Sequence, residues 1–189
     1  KKKKLLGKKY LIKIQKNIPL KSGMGGGSMN AATILNYFIK RKIIKIKKSE
    51  IINICSKIGS DVILGLDNKP KILKHNGKIV KFSKKLNFHL VFIKPSFGCN
   101  TKSIYKDVKV FSNSLFKIRK SLSKLKIDSF QNDLEKVSFK KYPQLFSLKK
   151  KLTKIPNILS ARMTGSGSTL VGYFSRKKDA LNGVKILKK

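Results

Sequence analysis

A glycine-rich run from Gly23 to Ser28 separates two stretches of different hydrophobic period and limits the folds open to this chain. Upstream, apolar residues alternate with polar ones at Tyr10, Ile12 and Ile14, which predicts a strand. Downstream of Met29, apolar residues recur at helical spacing at Ala32, Leu35 and Phe38. A glycine loop between a strand and a helix points its backbone amides, unhindered by Cβ atoms, at the helix N-terminus. This arrangement predicts a phosphate-binding loop.

The run fits neither of two familiar phosphate loops. A Walker loop needs a lysine followed by serine or threonine, which this run lacks. A dinucleotide fingerprint needs a third glycine where Ser28 stands. Taken alone, the run is more typical of a flexible turn than of a phosphate-binding loop.

The formal net charge of +38 over 189 residues is the electrostatic footprint expected of a protein that binds nucleic acid or an anionic membrane. Arginine, the residue that reads bases bidentately, is rare, and the lysines are spread through every segment. We therefore interpret the charge as the composition that an AT-rich genome imposes on an enzyme. A basic nucleic-acid-binding protein remains the alternative from another class. The hydrophobic fraction of 40% predicts a folded chain.

Lysine interrupts every apolar run, so no stretch reaches the roughly 18 to 20 apolar residues of a membrane span. Cys55 and Cys99 lack metal-site or redox spacing, and we expect neither a disulfide nor a protein-held metal, with the cytoplasm as compartment. The chain opens with four lysines and no methionine, so we expect a fragment that has lost its natural start.

Further elements follow from local signals. A second helix is predicted from an N-cap at Ser49 to a stop at Gly59. The pair Asn76-Gly77 predicts a hairpin with a type I′ turn. A boundary is expected at lysines 84 and 85, which gives domains 1–84 and 85–189.

In the second half, strands are predicted at 88–93 and 170–174, with a small-residue loop from Thr164 to Ser168 before the later strand. Helices are predicted around Tyr105, around 115–122, around 143–152 and from Ser175 onward.

The sequence PLKSGMGGGSMNAAT, from Pro19 to Thr33, resembles the phosphate-binding motif of the GHMP kinase superfamily. Its triple glycine followed by serine resembles most the members that phosphorylate a cytidine-diphosphate-linked methylerythritol on the non-mevalonate route to isoprenoid precursors. The resemblance implies that the ATP-binding residues are Pro19, Leu20, Lys21, Ser22, Gly23, Met24, Gly25, Gly26, Gly27, Ser28 and Met29.

Three further segments resemble family motifs in the family's order, at residues 59–62, 94–105 and 162–168. They imply that Asp61 is the catalytic base and that the substrate-binding residues are Thr101, Tyr105, Gly165, Ser166 and Gly167. Tyr105 would stack on the cytosine ring. Without the resemblance, an aspartate after a helix is most often a capping or solvated group, and the other residues fit an N-cap, a core aromatic and an ordinary turn. The segment 132–135 resembles a recurrent family segment of structural role.

Two departures from the family pattern stand out. The opening motif, with its catalytic lysine and an asparagine, cannot be assigned in this chain, so we expect weak nucleotide binding and no complete reaction from it. Met29 occupies a position where the family commonly has a second serine.

The resemblance implies an α+β GHMP kinase fold. Its N-terminal domain would be a partial domain of the ribosomal-protein-S5-like type and its C-terminal domain ferredoxin-like, with the active site between the two. We expect ATP and Mg²⁺ as cofactors, a small-molecule substrate, and neither a nucleic-acid nor a membrane partner. A GHMP kinase acting on another alcohol, such as homoserine or mevalonate, is the alternative within the superfamily.

Overall fold

The computed structural model describes residues 9–74, 76–82, 87–112 and 131–188. The chain divides into two compact units: unit 1 comprises Lys1–Pro19 and Gly25–Ser83, and unit 2 comprises Leu20–Met24 and Lys84–Lys189. The boundary predicted between residues 84 and 85 lies outside the described residues. The sequence did not predict that part of the glycine-rich run belongs with unit 2.

Unit 1 is built around two helices and a short 3₁₀ helix: α1 (Gly26–Lys40), α2 (Lys48–Ile58) and the 3₁₀ helix Ser60–Leu66. The predicted helix after the glycine run is confirmed, and it begins three residues earlier than Met29. The apolar faces of the three helices form one core, made by Ala32, Leu35, Cys55, Val62 and Ile63.

Helix α2 begins and ends for different reasons. The predicted cap at Ser49 is wrong, because the helix begins at Lys48 and the Glu50 carboxylate accepts a hydrogen bond from the Lys47 N–H at 2.8 Å. A carboxylate in the first turn meets the exposed amides of the helix start. The predicted end is confirmed, since the Gly59 N–H donates to the Cys55 carbonyl at 2.9 Å.

An antiparallel hairpin of β1 (Lys71–Leu73) and β2 (Ile79–Lys81) follows the 3₁₀ helix. The hairpin is confirmed but its turn is longer than predicted. The Lys74 N–H donates to the Lys78 carbonyl at 2.8 Å, and the Gly77 N–H donates to the Lys74 carbonyl at 2.9 Å. Three residues therefore form the loop, so the two-residue type I′ turn is wrong, and Gly77 supplies the left-handed position at φ +75°.

One carboxylate ties this hairpin to the end of the 3₁₀ helix. Asp67 Oδ1 lies 2.8 Å from Lys71 Nζ, and Asp67 Oδ2 lies 2.7 Å from Lys81 Nζ. The Lys71 side chain is 4% exposed, and its ammonium also donates to the Leu64 carbonyl at 2.9 Å. Hydrogen bonds from Lys71 first, and then from Lys81, hold the pKa of Asp67 well below its usual range.

We expect this ion pair to make the stability of the protein fall in acid. A carboxylate with a depressed folded pKa stabilises the fold above its unfolded pKa of about 3.9, and that contribution is lost as pH falls through the folded value. In urea unfolding, the difference between wild type and Asp67→Asn should be largest near neutral pH and shrink below about pH 4. A difference that stays constant across this range would assign the effect to packing and not to charge.

The strand predicted at Tyr10, Ile12 and Ile14 is wrong. Residues 9–17 have no regular secondary structure, and no described strand pairs with them. A strand is stable only where a neighbour satisfies its backbone groups, so alternation alone does not make one. The segment instead contacts helix α1 through Tyr10, whose ring centroid lies 5.1 Å from that of Phe38.

Unit 2 contains a three-stranded antiparallel sheet in the order β3-β5-β4 within its described residues. Its elements in chain order are β3 (His89–Ile93), α3 (Thr101–Asp107), α4 (Leu134–Lys141), α5 (Pro143–Thr153), β4 (Ile158–Met163), β5 (Leu170–Phe174) and α6 (Lys177–Leu187). Helices cover one face of the sheet, because Leu145, Leu152 and Phe174 are fully buried in one core. The contact is close at Gly172, where a Cβ would lie 3.0 Å from Leu152 Cδ1.

Most predicted elements of unit 2 are confirmed, including both strands and the helix around Tyr105. The stretch predicted around 143–152 begins at Pro143, whose fixed φ suits the first helical turn. Helix α4 was not predicted, and α6 begins at Lys177, two residues after the predicted start. The helix predicted around 115–122 lies outside the described residues. No helix in the described part of the chain has the length and apolarity to span a membrane.

Candidate active site

The segment Leu20–Met24 lies against two loops of unit 2 and is fixed there by its backbone carbonyls. The Lys21 carbonyl accepts from the Cys99 N–H at 3.2 Å, and the Ser22 carbonyl accepts from the Thr169 N–H at 3.1 Å. The Gly23 carbonyl accepts from Thr164 Oγ1 at 3.0 Å. Three successive carbonyls are thus bonded to residues far along the chain.

Gly23 and Gly165 bring two predicted motifs into contact. At Gly23 the backbone has φ +74°, and a Cβ would lie 2.2 Å from the Thr164 carbonyl oxygen. At Gly165, with φ +51°, a Cβ would lie 3.0 Å from the Gly23 carbonyl oxygen. Only glycine fits either position, because the two backbones approach closely and both need the left-handed conformation. The Leu20–Met24 part of the predicted ATP-binding run therefore neighbours the loop at 164–168, which contains three of the predicted substrate-binding residues.

The loop at 164–168 is connected to helix α3 through hydroxyl groups. Ser166 is buried, and its Oγ lies 2.8 Å from Thr101 Oγ1. Helix α3 begins there because the Asn100 side chain accepts a hydrogen bond from the Ser103 N–H at 3.1 Å. The structure therefore brings together Thr101 and Ser166, both predicted to bind substrate.

Tyr105 lies one turn after Thr101 on the same side of α3, as residues four apart on a helix do. Its side chain is 53% exposed. Its ring therefore offers a surface on which a planar base can stack.

In unit 1, the rest of the glycine-rich run forms the start of helix α1. Gly25 is the N-cap at φ +67°, and no side chain caps the helix. Cβ atoms at Gly25 and Gly27 would meet nothing within 4 Å, whereas Gly26 packs against Ile18. The helix thus starts without a side-chain cap at exposed glycines, and an uncapped helix start is the arrangement that binds anions.

Asp61 lies in the first turn of the 3₁₀ helix, and its side chain is exposed. Ser60 Oγ donates to its Oδ1 at 3.4 Å. Further along this helix, a Cβ at Gly65 would lie 2.7 Å from Ala32 Cβ and 2.9 Å from Met29 Sδ. The element that carries Asp61 thus packs directly against α1, and the Met29 thioether packs on Gly65.

Lys94 lies in the matched segment 94–105 and has a structural role that the sequence did not predict. Lys94 Nζ donates to the Phe97 carbonyl at 2.8 Å, and Ser168 Oγ donates to the same carbonyl at 2.7 Å. Lys94 thereby holds the loop against which Leu20–Met24 packs. At Gly98 in this loop, a Cβ would lie 2.6 Å from Lys21 Cβ. The resemblance includes Lys94 in the segment 94–105 but does not predict this hydrogen bond.

The two thiols are free and buried. Burial raises the pKa of Cys55. Burial also raises the pKa of Cys99, against a smaller opposing effect of the Lys94 charge. Neither thiol is prepared for nucleophilic chemistry at neutral pH. The described residues contain no group of three or more His, Cys, Asp or Glu that could hold a metal ion.

Two family models match this chain. The model of the GHMP kinase N-terminal domain matches residues 1–73, and the model of the GHMP kinase C-terminal domain matches residues 115–189. The α+β fold with GHMP kinase domains is therefore confirmed, and the class of protein is the GHMP kinases.

Similarity to individual proteins shows which family of GHMP kinases this chain belongs to. The chain is 51% identical over 94% of its length to a 4-diphosphocytidyl-2-C-methyl-D-erythritol kinase of Pelagibacter ubique, strain HTCC1062, and covers 64% of that protein. It is 31% identical over 98% of its length to the kinase of the same name of Clostridioides difficile, strain 630, and covers 68% of it. It therefore belongs to the family of 4-diphosphocytidyl-2-C-methyl-D-erythritol kinases.

The match is partial in length. The chain spans slightly less than two thirds of the Pelagibacter relative and 65% of a Petrotoga mobilis relative that is 35% identical. A crystal structure of a 4-(cytidine 5'-diphospho)-2C-methyl-D-erythritol kinase matches 92% of this chain and 65% of that one. Its TM-score of 0.67 at 20% identity shows the shared fold.

Proposed function

We propose that this chain carries the phosphate-binding and substrate-binding machinery of an ATP-dependent kinase. In the proposed reaction, the γ-phosphoryl group of ATP passes to the 2-hydroxyl of 4-diphosphocytidyl-2-C-methyl-D-erythritol, a step of the non-mevalonate route to isoprenoid precursors. The observation that carries the proposal is the contact of Gly23 with Thr164 and Gly165, which joins two glycine segments that the family resemblance assigns to one reaction. The 51% identity to the Pelagibacter kinase supports the choice of substrate.

For ATP, we assign the phosphate contacts to the backbone amides of Gly26, Gly27 and Ser28. These belong to the uncapped first turn of a 15-residue helix. Open space around Gly25 and Gly27 leaves room for a polyphosphate. A helix N-terminus attracts anions through both its free N–H groups and its dipole.

For the acceptor, we assign Asp61 the role of accepting the hydroxyl proton as that oxygen attacks the γ-phosphorus. Its carboxylate is exposed and its contact with Ser60 is long, at 3.4 Å, so it is available to a substrate hydroxyl. Phosphoryl transfer passes through a loose transition state, in which orientation of the hydroxyl matters as much as basicity.

For the cytidine end, we assign base stacking to Tyr105 and polar contacts to Thr101, Ser166 and the adjoining glycines. Tyr105 is exposed on the same side of α3 as Thr101, whose hydroxyl already lies 2.8 Å from that of Ser166. An aromatic surface beside a pair of hydroxyls suits a base followed by a polar sugar and diphosphate.

For Mg²⁺, the donor set of the described residues fits an ion that arrives on the nucleotide. Magnesium in kinases is held by one or two carboxylates and the substrate phosphates, and needs no all-protein cage. Ser28 at the helix start and the exposed Asp61 carboxylate offer oxygen ligands of the right kind. The ion would neutralise the phosphates and leave the positioning of the acceptor to this chain.

Nucleotide protection tests the proposal directly. A ligand at about 100 times its Kd stabilises a protein by about 2.7 kcal/mol, which is roughly 5 to 10 °C in Tm for a chain of this size. We expect such shifts with Mg·ATP and with cytidine diphosphate, and none with homoserine or mevalonate. Protection by mevalonate and not by cytidine diphosphate would instead identify a different GHMP kinase.

Phosphoryl transfer is the second arm of this experiment. Formation of the phosphorylated product from Mg·ATP and 4-diphosphocytidyl-2-C-methyl-D-erythritol is followed by ³¹P NMR, both with this chain and with the longest natural product of its gene. If the longest natural product of the gene forms no product, the proposed function is contradicted. Tight RNA binding that falls steeply with salt, without nucleotide protection, would support the nucleic-acid alternative.

A further inference from the structure

We propose that Asn132 is a positioning residue for phosphoryl transfer, which acts by fixing the glycine loop at 164–168 from outside the site. The proposal rests on the proposed function for its kinetic consequence and on the hydrogen bonds of Asn132 for its geometry. Asn132 precedes helix α4 and has no predicted role in binding or catalysis.

The Asn132 carboxamide uses both of its N–H groups on the loop. Nδ2 donates to the Met163 carbonyl at 2.9 Å and to the Gly165 carbonyl at 2.8 Å. The Oδ1 atom of the same side chain accepts from the Leu134 N–H at 3.1 Å. The three bonds together fix the orientation of the carboxamide. A flipped group would place its oxygen against two carbonyl oxygens and its NH₂ group against the Leu134 N–H.

A second side chain from the same turn holds the other side of Met163. Glu135 Oε1 accepts from the Met163 N–H at 2.6 Å, and Lys149 Nζ pairs with Glu135 Oε2. The N–H and the C=O of Met163 are therefore both bonded to the start of α4. Met163 itself is buried, so the end of β4 cannot shift without breaking these bonds.

The geometry of the held loop explains why a bond to Gly165 matters for chemistry. Gly165 is the residue whose backbone approaches the Gly23 carbonyl, and Ser166 comes directly after it. Ser166 Oγ is the partner of Thr101 Oγ1. Asn132 therefore sets both the approach to Gly23 and the position of the Ser166 hydroxyl, without contacting a ligand itself.

Replacing Asn132 with aspartate removes the two donors while keeping the oxygen that accepts from Leu134. Measured in the longest natural product of the gene, kcat for phosphoryl transfer should fall by about 10- to 100-fold, since a displacement near 1 Å at a reacting group costs up to about 100-fold. The KM for ATP should change by less than about threefold, because the nucleotide contacts lie at the start of α1. The matched control is Asn76→Asp, the same change in the β1–β2 hairpin, where Asn76 Oδ1 accepts a bond from the Lys78 N–H at 3.1 Å. Its kcat and KM should equal those of the wild type.

A second variant allows the proposal to be contradicted even if the aspartate variant does not fold. Asn132→Ala removes the donors without adding a charge, and it should show the same selective loss of kcat if the aspartate variant does not fold. If kcat stays within about twofold of wild type in a folded Asn132 variant, or if kcat falls only where the fraction of folded protein falls equally, the proposal is wrong.

Hydrogen exchange separates this proposal from the proposed function. If the wild-type protein transfers no phosphate, the proposed function fails. The exchange of the loop amides still tests whether Asn132 holds the loop at 164–168. The amides of Thr164, Gly167 and Thr169 are bonded within or beside the loop. They should exchange at least about 10-fold faster in Asn132→Ala while β3 is unaffected. Unchanged exchange at these amides overturns the proposal.

Discussion

Gly23→Ala is expected to destabilise the protein by about 2 to 4 kcal/mol, from a left-handed backbone that disfavours alanine and an overpacked contact. The introduced methyl would lie 2.2 Å from the Thr164 carbonyl oxygen and 2.8 Å from that of Gly167. Both atoms belong to backbone, which cannot rotate away as a flexible side chain would. The loss is measured as a lower urea midpoint of unfolding, in the absence of nucleotide.

Gly27→Ala is the matched control for this prediction. Its backbone is helical, and a Cβ there meets nothing within 4 Å. Alanine is favoured over glycine within a helix by about 1 kcal/mol, so this variant should unfold at a slightly higher urea concentration. A similar loss in both variants would mean that the glycine-rich run as a whole, and not the contact with Thr164, limits stability.

Asp61→Asn is expected to lower kcat for phosphoryl transfer by about 10² to 10⁴-fold in the longest natural product of the gene, with a smaller effect on the KM for ATP. The substitution keeps the size of the side chain and removes its charge and its ability to accept a proton. Its exposed position predicts little change in the urea midpoint.

Asp67→Asn is the control, because it makes the same chemical change directly after the same 3₁₀ helix. Asp67 pairs with Lys71 and Lys81, so this variant should lose stability near neutral pH yet transfer phosphate at the wild-type rate while folded. If Asp61→Asn retains transfer within about tenfold of wild type, Asp61 is not the catalytic base.

Local signals predicted those parts of the fold that local forces determine. Helix α1, the 76–77 turn region and the strand 170–174 depend on hydrophobic period and on glycine, which a short window of sequence contains. The segment at Tyr10 has a strand pattern and no described partner, and pairing is a property of two segments. The alternating pattern of this segment was therefore insufficient to predict a strand.

The candidate site divides in the same way. Its glycines and Asp61 were predicted from motifs. The structural need for glycine at position 23, however, comes from the close approach of the Thr164 carbonyl, 141 residues further along the chain. The resemblance singled out the segments that contain Asn132 and Lys94, but it could not identify the backbone carbonyls to which these side chains donate. Asp67 was likewise not singled out, because its lysine partners are two among 46 basic residues.

The assignment of Leu20–Met24 to unit 2 has a consequence for expressing the two units as separate polypeptides. A polypeptide that starts near residue 84 would lack the carbonyls of Lys21 and Ser22, which accept from the amides of Cys99 and Thr169. Each amide left unpaired in the interior costs about 1 to 3 kcal/mol. The later half is thus a discontinuous domain, completed by five residues from the early part of the chain. Split-protein reporters and domain exchanges in this family should therefore carry that pentapeptide with the C-terminal half.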